Sequence, residues 1–437
     1  MAKPTLDIMW FRRDLRLGDN AALYHALRGE HNVVPVFCFD TNILDDLEDK
    51  HDRRVQFIHN AISDIQTELK KLGSTLEVFY AKPKEMFEAL VKKYTIATVY
   101  TNNDYEQYAI DRDSEVASFL KQKGAAFKAY KDQVIFEKDE VMKPDGSSYA
   151  VFTPYSRKWK EKLNAFYLKS YPTKNYFKNF YKQQPKRIPS LKAMGFKEAN
   201  FHFEKPDIPE EIIRHYDKTR DYPAIHGTSR LSIHLRFGTI SIRKLAAKAK
   251  QLNSLYLGEL IWRDFYHMIL WNNEGIRKGE NYKQQYNAIK WRNSEKEFEA
   301  WCNGKTGYPI VDAGMRQLNE TGFMHNRVRM ITASFLSKHL LIDWHWGDAY
   351  FAKKLNDYDY AANNGGFQWC AGTGVDAQPY FRIFNPYKQT KKFDKDLAYI
   401  RHWVPELETF EYPEPIVAHE FARKRCLEVY GNAVKKQ

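Results

Sequence analysis

The stretch "GELIWRDFYHMI" carries four residues whose spacing can build one wall of a chemical site. Glu259, Trp262, Arg263 and Tyr266 fall at i, i+3, i+4 and i+7, so a helix sets them on a single face. Glu259 can hold or release a proton, Arg263 can pair with an anion, and the Trp262 indole offers a flat platform. An exposed Glu–Arg helical pair beside a half-buried tryptophan reads the same way. A second stretch, "GFMHNRVRMITASFL", sets Asn326 and Met330 one turn apart, flanked by Arg327 and Arg329. Val328, Ile331, Phe335 and Leu336 form its apolar stripe. An amide beside such a stripe needs a partner, because burying it unpaired is costly. His325 reads as a structural histidine.

Two further stretches add to the set. In "NDYDYAANNGGFQW", Asp357 and Asp359 precede Asn363, Asn364 and a glycine pair. No His, Cys or Glu stands nearby at ligand spacing, so no metal is expected; the acids either neutralise arginines or bind ribose hydroxyls. Glycines let the backbone approach a neighbour closely, and Phe367 and Trp369 beside them suggest something flat and large. In "HGTSRLSIHLRF", Gly227, Thr228 and Ser229 predict a helix start whose free N–H groups, with Arg230 and Ser232, attract phosphate; plain capping is the other reading. No P-loop, H-E-x-x-H, kinase set or readable Ser-His-Asp order is present. The residues suit a large planar cofactor bearing phosphates, and do not suit a hydrolytic nucleophile.

The elements that must position these residues change character along the chain. "LDIMWF", "VVPVFCFD", "LEVFY", "ATVYTN" and "AFKAY" are short apolar runs with β-forming residues, separated by helical patterns over 53–72, 84–94 and 105–123. That alternation predicts an α/β domain over 1–130 with a doubly wound parallel sheet. Its first turn, "FRRDLRLGDN", lacks the G-x-G-x-x-G dinucleotide fingerprint. Residues 131–205 read as a long connection, and 206–437 as a mostly α-helical domain that holds eight of the ten tryptophans after residue 250.

The 437 residues carry a formal charge of +13, which suggests a polyanionic partner. Solvated surface explains it equally well. The segment Arg157–Glu198 alone holds twelve Lys/Arg against two acids, and it also holds Pro172, Pro185 and Pro189. The four cysteines are far apart without C-x-x-C, which argues against disulfides and zinc and for a reducing cytoplasm. No run is apolar enough to span a bilayer, and Met1–Gly18 lacks a signal-peptide core, so no membrane partner is expected.

Taken in order, "MWFRRDLRLGDNAAL", "GTSRLS", "GELIWRDFY", "GYPIVDAGMRQLNETGFMHNRVRMITASFL", "DYDYAANNGGFQW" and "PYFRIFNP" resemble the photolyase/cryptochrome family. The resemblance covers nearly the whole chain and is greatest to bacterial class I enzymes that repair cyclobutane pyrimidine dimers. It implies FAD bound in the helical domain, with Tyr216 and Thr228, Ser229, Arg230, Leu231 and Ser232 on the pyrophosphate side. Glu259, Arg263, Tyr266, Asn326, Arg329, Asp357, Asp359 and Asn363 would line the flavin cavity, with Asn363 facing flavin N5. On the lesion side it implies Trp262 and Trp369 as aromatic walls and Glu259 as the hydrogen-bonding partner of the pyrimidines. Asn326 and Met330 would border the lesion, and Arg327, Arg382 and Gln389 would contact DNA. The implied reaction passes an electron from photoexcited reduced FAD to a flipped-out dimer and takes it back after the ring opens. Glu259 would stabilise the charge that develops.

Two departures from the family pattern stand out. Trp291 and Trp344 match the outer and middle members of the tryptophan relay that reduces oxidised FAD, but the position nearest the flavin is Phe367. Phenylalanine is far harder to oxidise, so photoreduction is expected to be slow or rerouted, through Trp369 or a tyrosine. Folate-binding relatives carry Asn-Glu where this chain has Tyr108-Ala109, which speaks against a folate antenna and leaves a deazaflavin, a flavin or none. The expected protein is a cytoplasmic monomer acting on DNA that contains pyrimidine dimers. The alternative is a cryptochrome-like blue-light photoreceptor that binds FAD without repair. Asn363, where plant cryptochromes carry Asp, favours repair, as does the lack of a long tail. Asn326 and Met330 also favour it, standing where enzymes for (6-4) photoproducts carry histidines.

Overall fold

The computed structural model describes residues 3–435. Its packing divides the chain into two compact units. The first comprises 1–137, 163–208 and 231–248, and the second comprises 138–162, 209–230 and 249–437. The stretch read as a connection is therefore shared: 138–162 packs with the helical unit and 163–208 with the sheet unit.

The first unit is built on five strands, β1 (Thr5–Phe11), β2 (Val33–Asp40), β3 (Glu77–Ala81), β4 (Thr95–Asn102) and β5 (Ala126–Tyr130). All pairings are parallel and the strand order is β3-β2-β1-β4-β5. Each apolar run of the sequence became one of these strands, because a parallel sheet covered on both faces wants continuous Val/Ile/Phe runs. Pro35 is tolerated inside β2 because pairing with β3 begins only at Val36. Helices Arg53–Lys71, Pro83–Lys93 and Gln107–Gln122 follow the predicted helical patterns.

A buried charge cluster closes this unit. Arg243 reaches Asp19 at 2.9 Å and Asp132 at 2.7 Å, and Arg16 reaches Asp132 at 2.6 Å. Burial alone would raise the Asp132 carboxyl, but the two guanidinium groups prevail and hold it below its ordinary value.

The second unit is helical. Its central elements are the helices Ser254–Asn272, Pro309–Thr321, Asn326–Ser334, Trp344–Lys354 and Tyr360–Ala371. Asn253 caps the first by accepting from the N–H groups of Leu255 and Tyr256, and Asp359 caps the last by accepting from Ala362. After Ser334 the chain widens into a π-turn, Phe335–His339, a form that often marks functional sites. Gly365 explains part of the glycine pair: a Cβ there would lie 2.3 Å from the Tyr266 ring, so helices 254–272 and 360–371 can approach only if this residue has no side chain.

Candidate flavin and lesion site

A cavity of about 380 Å³ opens among these helices. The Ser254–Asn272 helix sends Glu259, Trp262, Arg263 and Tyr266 into it, one face as the spacing predicts. Asn326, Arg329 and Met330 come from the Asn326–Ser334 helix, and Asp357 and Asp359 from the turn before Tyr360. Asn363, Gly366, Phe367 and Trp369 complete the lining from the Tyr360–Ala371 helix.

The charges in this cavity are organised in pairs. The Arg329 guanidinium donates to both carboxylate oxygens of Asp357, at 2.9 and 3.1 Å, so at least one of the two acids neutralises an arginine. Arg220, which the motifs did not single out, pairs with Glu259 and also lines the cavity. Burial pushes the Glu259 carboxyl up, and the nearby Arg220 only partly opposes it. Asn363 donates from Nδ2 to Asp348 Oδ1 at 2.5 Å, which leaves its carbonyl Oδ1 as the acceptor it can offer. Burial pushes Asp348 up to about 6. Neither Arg220 nor Asp348 belongs to a recognisable motif, and only the fold brings them here.

Several expectations change in detail. Asn326 is exposed at the start of its helix instead of buried beside the apolar stripe. His325 is buried, caps that helix through Nδ1, and is pushed down to about 4 by burial, as befits a structural histidine. The run Gly227–Ser229 is not a helix start; the short helix begins at Ser232 and its cap residue Leu231 makes no side-chain cap bond. The run is drawn aside because Gly227 packs against Thr219, whose hydroxyl donates to the Gly227 carbonyl at 3.0 Å. Ser229 instead shares a hydrogen bond of 2.8 Å with the Tyr256 hydroxyl, and Tyr216 packs edge-on against Tyr256 at 5.0 Å. Thr228 and Arg230 lie in the second unit, whereas Leu231 and Ser232 belong to the first.

Of the remaining residues, Phe367 lines the cavity and the others lie outside its lining. Arg327 is paired with Asp221 at 2.7 Å and sits over the Phe393 ring. Arg382 is exposed, and its carbonyl accepts from the fully buried Lys338 at 2.8 Å. Gln389 is half-buried in the Pro386–Phe393 helix. Trp344 is fully buried and donates from Nε1 to Asn281 at 2.9 Å. Trp291 is partly buried, edge-on to Tyr430. Phe367 is buried against Phe351, with ring centroids 4.9 Å apart. In the first unit, the Tyr108 hydroxyl donates to Asp40. Among the described residues no group of three or more His, Cys, Asp or Glu is placed to hold a metal ion, and no helix is long and apolar enough to cross a membrane.

The cavity residues fit a flavin dinucleotide. Tyr266, Phe367 and Trp369 supply flat apolar walls, Arg263 and Arg329 supply cations, and a Cβ on Gly366 would meet nothing within 4 Å and project into open space.

The comparisons with known proteins agree. A family model described as the FAD binding domain of DNA photolyase matches residues 256–411, and one described as DNA photolyase matches residues 7–175. The deoxyribodipyrimidine photo-lyase of Halobacterium salinarum is 35% identical over 98% of this chain and 99% of its own length. That of Escherichia coli is 36% identical over 99% of both. Among solved structures, a bacterial class III photolyase from Agrobacterium tumefaciens has a TM-score of 0.86 at 32% identity, covering 100% of this chain and 99% of its own. An archaeal photolyase from Sulfolobus tokodaii, solved with two FAD molecules, has a TM-score of 0.82 at 34% identity, covering 98% and 99%. With relatives of this identity spanning almost every residue, and with the helical cavity built from the motifs that carry the likeness, the chain belongs to the DNA photolyase family.

Proposed function

We propose that the protein splits cyclobutane pyrimidine dimers in DNA by light-driven electron transfer, with FAD held in the helical cavity. The observation that carries this reading is one cavity in which Glu259, Trp262, Trp369 and Asn326 meet Arg263, Arg329, Asp357, Asp359 and Asn363. Reduced FAD, when bound, supplies the photoexcited electron. The chain's own residues do the rest.

Arg263 and the Arg329–Asp357 pair hold the cofactor's polar groups, with Tyr216 and the Thr228–Arg230 run on its phosphate side. Tyr266 and Phe367 exclude water from the ring. Asn363, oriented by Asp348, would offer its Oδ1 to the flavin ring on its N5 side. An amide has no carboxyl proton to exchange with the flavin at that position.

Trp262 and Trp369 offer the extruded dimer flat surfaces. A crosslinked dimer stacks and pairs poorly, so extruding it costs less than extruding a normal pair. Glu259 hydrogen-bonds the pyrimidines of the dimer and stabilises the charge that arrives there. Asn326 and Met330 border the lesion, and Arg327, Arg382 and Gln389 serve the DNA backbone.

The test is direct. Purified protein with reduced flavin is mixed with dimer-containing DNA and illuminated with near-UV or blue light. Dimers should disappear in light and persist in darkness. Glu259→Ala should lower the repair yield while keeping its flavin; full repair by that variant, or none by the wild type, would refute the assignment.

A further inference from the structure

We propose that Phe152 is a positioning residue that fixes the Trp262 indole as a rigid stacking wall for the extruded lesion. The inference rests on the dimer-repair reading. Phe152 begins the Phe152–Lys162 helix, in a stretch of sequence that carries no chemical motif. Its ring lies 3.7 Å from that of Trp262 at an interplanar angle of 5°. Isolated aromatic pairs avoid such a face-to-face sandwich in favour of offset or edge-on contacts, so the surrounding packing imposes it.

That packing is visible. Phe265 abuts the indole edge-on at 5.6 Å, and Tyr266 lies tilted at 5.5 Å. One face of Trp262 is thus covered by protein while the residue still lines the cavity. The segment leading into Phe152 is itself tied down: the Asp376 N–H donates to the Ala150 carbonyl at 3.0 Å. Asp376 follows the helix that carries Trp369, so one backbone hydrogen bond references both aromatic walls. A platform held in this way loses little freedom when a base stacks on it, and the preference for a lesion over normal DNA is where that saving appears.

The experiment compares Phe152→Leu, which keeps apolar bulk, with Phe152→Tyr, which keeps the ring. Flavin-loaded protein is titrated in darkness with dimer-containing and undamaged duplexes, followed by fluorescence anisotropy. Leucine should cut the preference for dimer DNA by about tenfold, within the range of a single base–aromatic stack. Flavin content and affinity for undamaged DNA should stay unchanged, and tyrosine should keep the wild-type preference. In a Trp262→Ala background, Phe152→Leu should cost nothing further. Retained preference in the leucine variant, equal losses in both variants, or an added loss without Trp262 each overturns the proposal. A wild type with no preference for dimer DNA refutes the repair reading and this proposal together.

Discussion

Gly365 and Gly366 stand side by side in one helix, yet the same added methyl group should affect them in opposite ways. A Cβ on Gly365 would lie 2.3 Å from Cδ1 and Cε1 of Tyr266 and 2.9 Å from Cγ. Carbon atoms pack at about 3.5–4.0 Å, so the ring or the helix must retreat by more than an ångström. Tyr266 has little room to do so between Trp262 and Phe265. On Gly366 the same atom meets nothing within 4 Å. Both exchanges gain the same helix propensity, about 0.8–1 kcal/mol, so that gain cancels when the two variants are compared. The remaining difference is overpacking, about 1–3 kcal/mol. At roughly 2–4 °C per kcal/mol for a domain of this size, Gly365→Ala should melt several degrees below Gly366→Ala. Circular dichroism of the flavin-free proteins measures this. Flavin absorbance per chain gives the second readout: Gly366→Ala should be at least as stable as the wild type yet load less flavin, because its methyl group enters the cavity. Equal melting temperatures would refute the reasoning, since only the contact with Tyr266 separates the pair.

Phe367→Trp should restore an oxidisable ring next to the cavity and speed photoreduction of oxidised flavin, read as the rate of flavin bleaching under light with a thiol donor. An unchanged rate would mean that electrons already travel another way. Asp348, raised to about 6, should lend stability at low pH that is lost as pH rises through 6. Asp348→Asn should therefore flatten the melting profile across pH 4 to 6, roughly the interval between the unfolded and folded values, while keeping an acceptor for Asn363; an unaltered profile would exclude Asp348 as the titrating group. Asp132 has the opposite sign: its folded value is depressed, so its contribution is present above the ordinary 3.8 and fades as pH falls through the folded value. Asp132→Asn leaves Arg16 and Arg243 without their shared carboxylate and should cost about 3–5 kcal/mol near neutral pH. Denaturant unfolding should show that gap narrowing in acid.

The strands of the sheet were legible because each is a continuous apolar run, and such a run needs no partner to be recognised. The Glu259–Tyr266 face was legible because helical spacing alone puts four side chains on one side. Neither property reaches across the chain. The pairing of Glu259 with Arg220, the hold of Asp348 on Asn363 and the stack of Phe152 on Trp262 join residues 39, 15 and 110 positions apart. No local pattern encodes such a distance. The helix start expected at Gly227 failed on a nearer contact: Thr219, eight residues earlier, takes up the run through a hydrogen bond that composition does not announce. The sequence by itself determined the element types, the inventory of site chemistry and the family. Tertiary packing alone decided which partner each charge would meet and which face of each ring would stay open, because those depend on distances set only when separate helices close on one another.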